Sequence, residues 1–427
     1  MLEYIDLEYI PDESDMICEF RVTPAEGVSF RKAAENVALE SSIGTWTDVG
    51  TLNERIARTL KPSVYYMDEQ AGYIKIAYPV DLFEPGNIPE ILSSIAGNIF
   101  GMKILKYLRL VDVKFPEKIV KSFSGPEYGI NGVRRILNVY DRPLAGTIVK
   151  PKLGLTEDEH AKVAYEAWYG GLDIVKDDEN LTSMSFNKFE DRIIKTLDMR
   201  DKAESETGEK KIYMANVTAG LREMIKRAEF VKEHGGEYIM VDVITTGWSA
   251  LQALRDENLK LVIHAHRAMH GALTRHPEHG VTMLVIAKIC RLIGCDQLHI
   301  GTAGVGKMKG GKKEELAIEE AITTDRQPEN PELHLVGQEW YGINTVFPVA
   351  SGGLHPLLTP ELIDIMGKDI IAQYGGGCHG HIDGTVAGAK AIRQSIDAAI
   401  NGISLEEYAK THKELARAFE TWGKRIN

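Results

Sequence analysis

The sequence predicts an α/β fold: a C-terminal (β/α)8 TIM barrel preceded by an α+β, ferredoxin-like N-terminal domain. Three observations carry this. From about Arg142 onward, short apolar runs alternate with helical segments eight times before the chain ends. Polar and charged residues gather at the carboxyl ends of those runs, where a barrel places its active site. The stretch before them has the strand and helix order of a split βαβ unit. A chain of 427 residues is also too long for one ordinary core. The expected division is 1–135 for the first domain and 136–427 for the barrel with a C-terminal helical tail.

In order, Met16–Val22 reads as a strand. Phe30–Glu40 is an amphipathic helix. Ser63–Met67 and Tyr73–Tyr78 pair around a polar turn, Pro89–Ile99 is a second helix, and Leu108–Phe115 another strand. The barrel strands are Gly146–Lys150, Leu172–Lys176, Ile212–Val217, Tyr238–Val243, Leu261–His266, Gln297–Gly301, Val346–Ala350 and Ile370–Gln373. Helices follow them, for example His160–Tyr169 and Gly384–Ala399, and Ser404–Ile426 forms the tail. An open, doubly wound sheet is the other architecture that such alternation allows.

Composition narrows the class. Hydrophobic residues make up 44% and charged residues 26%, as in a soluble globular protein. A net charge of −12 disfavours a general nucleic-acid binder but leaves room for a locally basic phosphate pocket. The 4 cysteines, Cys18, Cys290, Cys295 and Cys378, form no CxxC pair, which fits a reducing cytosol better than a disulfide framework or a zinc site. The start MLEYIDLEYI has no signal-peptide pattern, and no apolar run nears the roughly 18 residues of a membrane helix. A cytoplasmic protein is expected.

The first strand runs into Lys150-Pro151-Lys152 and the second into Lys176-Asp177-Asp178-Glu179. The fifth carries His264, His266 and Arg267, and the sixth His299. The seventh runs into Ser351-Gly352-Gly353 and the eighth into Gly375-Gly376-Gly377. Strand alternation turns Lys176 and Asp178 to one side. Asp and Glu are hard oxygen ligands suited to Mg²⁺. A lysine joins them only if its amine, ordinarily protonated with a pKa of about 10.4, loses its proton and captures CO2 as an anionic carbamate. Lys150 and Lys152 are expected to favour that by lowering the amine's pKa. Alone, such a run is also an ordinary solvated charge cluster. The glycines let backbone N–H groups approach a phosphate, or make plain tight turns. Arg267 and His299 could hold a second phosphate, so that two phosphate sites flank a metal. Gly301–Lys313 (GTAGVGKMKGGKK) reads as a lid carrying Lys307 or as a solvated loop, and lacks the P-loop spacing.

GTIVKPKLGL (146–155), GGLDIVKDDENLTS (170–183), HAHRAMHGA (264–272), LHIGTAGVGK (298–307), PVASGGLHP (348–356) and QYGGGCHGH (373–381) resemble the large subunit of ribulose-1,5-bisphosphate carboxylase/oxygenase. So do ESSIGTWTDV (40–49) and IAGNIFG (95–101). The lid and segment lengths are similar to the archaeal (form III) type, which has no small subunit. The resemblance covers nearly the whole chain. It implies a carbon–carbon lyase that carboxylates, and oxygenates, ribulose 1,5-bisphosphate in nucleotide (AMP) salvage. Lys176 would be the carbamylated lysine, binding Mg²⁺ with Asp178 and Glu179. Lys150 would be an acid/base supported by Lys152, Lys307 would orient CO2, and His266 would assist hydration and proton transfer. Arg267 and His299 would hold one phosphate. Gly352, Gly353, Gly375 and Gly376, with Thr45 and Trp46, would hold the other, and Ser351 a sugar hydroxyl. Glu40 and Asn98, with Thr45 and Trp46, would complete the site of a neighbouring subunit, giving a homodimer or a ring of dimers. Ile148 departs from the threonine of plant-type members, and the lid has one residue more between Thr302 and Lys307. An enolase or isomerase relative, or a non-catalytic storage or scaffold relative, would share the scaffold. Retention of Glu40, Asn98, Lys150, Lys176, His266, Lys307 and Ser351 favours the carboxylase.

Overall fold

The structure is a computed structural model that describes residues 2–45, 47, 49–306 and 311–423. The chain forms two compact units. The first is Met1–Gly125 with Met269–Ile293 and Thr324–Ile343, and the second is Pro126–Ala268, Gly294–Thr323 and Asn344–Asn427.

In the first unit the strands are β1 (Met16–Pro24), β2 (Ser63–Asp68), β3 (Tyr73–Tyr78) and β4 (Leu105–Lys114). The short β10 (Gly280–Val281) joins them in the order β10-β4-β1-β3-β2. The pairings among β1–β4 are antiparallel, the ferredoxin-like arrangement. Alternation in β1 turns Met16, Cys18, Phe20 and Val22 into the core. The helix Phe30–Glu40 forms over the expected residues, with the Ser29 side chain accepting from Lys32 N–H at its start. The next expected helix is shorter than its pattern: it runs Ile88–Ile95, and the chain turns at Gly97, where a Cβ would lie 1.9 Å from the Ser93 carbonyl oxygen. Two features went unforeseen. The helix Glu54–Leu60 buries no residue and so leaves no amphipathic signal. The pair β12 (Arg326–Asn330) and β13 (Leu335–Glu339) begins with a strand, RQPEN, whose one apolar side chain is Pro328.

The second unit is a closed, all-parallel barrel. Its strands are β5 (Leu144–Ile148), β6 (Ile174–Lys176), β7 (Ile212–Asn216), β8 (Tyr238–Asp242), β9 (Val262–His266), β11 (Gln297–His299), β14 (Phe347–Ser351) and β15 (Ile371–Gln373). The open-sheet alternative is thereby excluded. The first residues of seven strands, Leu144, Ile174, Ile212, Tyr238, Val262, Phe347 and Ile371, pack with Val133 and Leu137 of the helix Gly129–Leu137, which plugs the amino-terminal end. Each such side chain contributes about 1.5–3 kcal/mol by leaving water.

Two aspartates tie this end together. Asp173, just before β6, receives both guanidinium nitrogens of Arg142 at 2.7 Å and the Ala145 N–H of β5 at 2.8 Å. Asp296, just before β11, accepts from Arg255 Nη2 at 2.6 Å, Ile263 N–H at 2.9 Å and Tyr128 N–H at 2.6 Å. The expected helical tail is made of two helices, Leu405–Ala409 and Lys413–Trp422. Among the described residues no helix is long and apolar enough to cross a membrane.

Candidate active site

β6 ends at Lys176, which lies inside the barrel with 1% of its surface exposed. Among the described residues its ammonium nitrogen finds only the Asp177 carbonyl oxygen at 3.0 Å and the Met240 sulfur at 3.3 Å. Burial pushes this amine below its ordinary value of 10.5; Glu179, Asp178 and Asp242 oppose the shift, and Lys150 adds to it least. The sequence reading assigned the lowering to Lys150 and Lys152. Desolvation is the larger cause, because taking the charged form out of water costs more than one neighbouring cation does.

The two acids that follow are held by the lysines of the β5 loop. Lys150 Nζ donates to Asp178 Oδ2 at 2.6 Å, and Lys152 Nζ to Glu179 Oε1 at 3.3 Å. Both lysines lie beyond the strand, which stops at Ile148. Glu179 is held at about 2: burial, which would raise it, is outweighed by its own backbone N–H and by His266, Lys176 and Lys152. His266 Nε2 lies 3.8 Å from Glu179 Oε2, and its Nδ1 lies 2.9 Å from Asp242 Oδ1.

The middle acid of the run has another task. Asp177 is fully buried and accepts from Tyr213 Oη at 2.7 Å, Asn216 N–H at 2.9 Å and Arg192 Nε at 3.3 Å, with His160 Nε2 at 3.1 Å. Burial opposes its ionisation, yet Arg192, His160 and Tyr213 hold it well below the usual carboxylate range. Asn216 donates to the carbonyls of Asp178 and Glu179 at 3.3 and 3.2 Å. Asp177 and Asn216 thus fix the backbone that carries the outer two acids. Asn216 and Asp242 were missed from the sequence. Their signal was available, since each is the last residue of its strand and shares the parity of an interior residue, Met214 or Met240.

The histidines meet as a group. His264 Nε2 is 2.9 Å from His299 Nε2, and the rings of His266 and His299 lie 4.8 Å apart, edge to face. Arg267 donates to the Ile300 carbonyl at 3.0 Å, beside the same strand end. Ser351 closes β14 in register with Gln373. Gly352 and Gly353 have φ of +143° and +77°, and a Cβ on Gly375 would stand 3.5 Å from Lys150 Cε. Lys150, Lys152, Lys176, Asp178, Glu179, His266, Arg267, His299, Ser351 and the four glycines all belong to the barrel unit, at its carboxyl-terminal strand ends. Glu40, Thr45 and Asn98 belong to the first unit; Glu40 ends the helix Phe30–Glu40, and Asn98 opens a 3-10 turn. Trp46 and Lys307 lie outside the described residues.

At Gly301, the stem of the segment that follows β11, a side chain would be strained. Its φ is +119°, and a Cβ there would sit 2.1 Å from Glu315 Oε1. The Glu315 carboxylate also accepts from Ala303 N–H. Gly301→Ala is expected to lower kcat about tenfold or more by displacing this stem, while far-UV circular dichroism stays parental. Steady-state kinetics checks it.

His379 supplies a pH prediction. It bonds the Ile148 carbonyl oxygen and Thr147 Oγ1, each at 3.0 Å, and burial lowers it from 6.5 to about 4. The unfolded chain takes up a proton below about 6.5 that the folded one refuses until about 4. This contribution to stability is therefore complete above 6.5 and declines as pH falls toward 4. Replacing His379 with Gln should flatten the decline by up to about 1.4 kcal/mol per pH unit in urea titrations across that window.

Fold and side chains together define a (β/α)8-barrel protein whose strand ends gather a buried amine, two acids, two cations and a histidine group. A profile of the ribulose bisphosphate carboxylase large chain, catalytic domain, matches residues 129–422, and one of the N-terminal domain of that chain matches 3–119. The ribulose bisphosphate carboxylase of Methanocaldococcus jannaschii is 55% identical, with 99% of this chain and 100% of that protein aligned. That of Methanosarcina mazei is 52% identical, with 99% of each covered. Among solved structures, the dimeric archaeal Rubisco of Hyperthermus butylicus superposes with a TM-score of 0.93 at 48% identity, covering 98% of each chain. The octameric Rubisco of Pyrococcus horikoshii, crystallised with sulfate, gives 0.92 at 47%, covering 99% of this chain and 97% of that one. The chain belongs to the ribulose bisphosphate carboxylase large-chain family and is, with it, a carbon–carbon lyase.

Proposed function

We propose that this protein carboxylates ribulose 1,5-bisphosphate, giving two molecules of 3-phosphoglycerate, in a Mg²⁺-dependent reaction with oxygenation as its side reaction. The observation that carries this reading is the buried Lys176 amine, lowered by desolvation beside two carboxylates. Among the described residues no group of three His, Cys, Asp or Glu side chains could hold a metal. Asp178 and Glu179 supply two hard anionic donors, and Lys176 would add a third as a carbamate. A neutral Lys176 amine that adds to CO2 and releases a proton gives an anionic carbamate oxygen beside them. That donor set fits Mg²⁺, which prefers oxygen and keeps open positions for substrate. The bound ion would stabilise negative charge developing on the sugar oxygens.

In the chain's own residues, carbamylated Lys176 accepts the C3 proton of the bisphosphate to give the enediolate. Lys307 orients CO2 and stabilises the new carboxylate. His266, oriented by Asp242, assists hydration and proton transfer, and Lys150, supported by Lys152, protonates the final carbanion. Arg267 and His299 hold one phosphate. Gly352, Gly353, Gly375 and Gly376, with Thr45 and Trp46, hold the other, and Ser351 a hydroxyl. Glu40, Thr45, Trp46 and Asn98 act on the site of a second subunit. The assembly is a homodimer or a ring of dimers, the working place is the cytoplasm, and the pathway is AMP salvage. The test is activity on ribulose bisphosphate after preincubation with CO2 and Mg²⁺. Activation by both together is expected, and equal activity without preincubation would remove the carbamate from the reading.

A further inference from the structure

Gln297 opens β11 and is fully buried. Its Oε1 stands 2.9 Å from Nδ1 of His264, and Nε2 of His264 stands 2.9 Å from Nε2 of His299. The three side chains form a chain of contacts from the start of β11 to its end. Nδ1 of His299 has no hydrogen-bond partner among the described residues, which leaves it for a ligand.

A neutral imidazole carries one N–H and one lone pair. Of the two facing Nε2 atoms, one must therefore donate and the other accept. When His264 donates from Nδ1 to the Gln297 carbonyl, its Nε2 is a lone pair. His299 then donates from Nε2, and Nδ1 of His299 is bare. A half-turn of the amide reverses every link. Gln297 Nε2–H now donates to His264 Nδ1, His264 donates from Nε2 to His299, and the proton of His299 sits on Nδ1. Only this second state offers a donor to a phosphate oxygen, which is an acceptor.

Among the described residues nothing else holds the amide in the first state. Gln297 Nε2 is buried without a partner, so the half-turn exchanges one hydrogen bond for another. A third state, with His264 doubly protonated, is disfavoured. Burial, then Lys176 and His266, hold that imidazole well below 6.5 against the opposing contact with Gln297.

We propose that Gln297 is a positioning residue that sets the tautomer of His299 through His264, and that a phosphate at the mouth of the barrel selects the donor form. This rests on the reading that His299 holds a phosphate of the substrate. It adds that the affinity for that phosphate depends on a buried amide that never touches it. The sequence offers no hint of this, because a glutamine at the start of a strand is unremarkable until its two histidine neighbours are seen in line.

The experiment compares Gln297→Glu, which can only accept once ionised, with Gln297→Met, which can do neither and has a similar size. KM for ribulose bisphosphate should rise about tenfold in Gln297→Glu and less in Gln297→Met, with kcat changed less than about twofold in both. Nitrogen-15 NMR of the unaltered, histidine-labelled protein, assigned with His299→Asn, should show the proton on Nδ1 of His299 when inorganic phosphate is bound. Parental KM in both Gln297 variants, or a bare Nδ1 in the phosphate complex, would overturn the proposal and leave the phosphate reading standing. A parental KM in His299→Asn would sink the phosphate reading itself, and the proposal with it.

Discussion

Replacing Lys176 with alanine is expected to abolish carboxylation, lowering it at least about a thousandfold, because the proposed third ligand and the proposed base disappear together. The loss should not come from unfolding. Among the described residues the Lys176 ammonium bonds only a carbonyl and a thioether, so its removal strands no strong hydrogen-bond partner there. Asp178 keeps Lys150 at 2.6 Å, and Glu179 keeps Lys152 at 3.3 Å. Lys176→Arg makes the control, since it preserves a cation but cannot form the carbamate. Activity on ribulose bisphosphate, with trapping of labelled activator CO2, reads the result. Turnover near the parental rate in either variant would remove Lys176 from the chemistry. Lys307→Ala should separate the steps differently, sparing exchange of the C3 proton with solvent while blocking product formation.

The second large effect is on stability. Asp296→Ala should destabilise the barrel by about 3–5 kcal/mol, because it leaves the Arg255 charge buried without its partner. The carboxylate also satisfies the backbone N–H groups of Ile263, Tyr128 and Gly129, so four contacts are lost at once. Denaturant titration of the purified variant measures this, and a midpoint within error of the parent would refute it. The same change in Asp178, whose side chain is held by Lys150 and Asn180 nearer the mouth, should cost activity far more than stability.

These two cases show what could be read from residues alone. Barrel strands declare themselves because a strand buried on both faces is a short apolar run, and the active-site end declares itself because charges follow such runs. The charged run from Lys176 to Glu179 was therefore legible, and the structure pairs Asp178 with Lys150, and Glu179 with Lys152 and His266. Asp177 looked like its neighbours, and only its opposite parity turns it to Arg192, His160 and Tyr213 instead of the mouth. Asn216 and Asp242 act through contacts made across neighbouring strands, which one strand's pattern does not reveal. The Glu54–Leu60 helix and the β12–β13 pair have too little apolar periodicity to be seen before folding.

The barrel's two ends are built from different materials. At one, aspartates, arginines and a plugging helix are locked by short, buried bonds; at the other, lysines that reach solvent hold the acids. Heat or denaturant should consequently extinguish turnover before the scaffold melts, and refolding need only restore the rim. Descent with altered chemistry has the same freedom: residues at the mouth can be exchanged while the foundation that specifies the architecture stays in place.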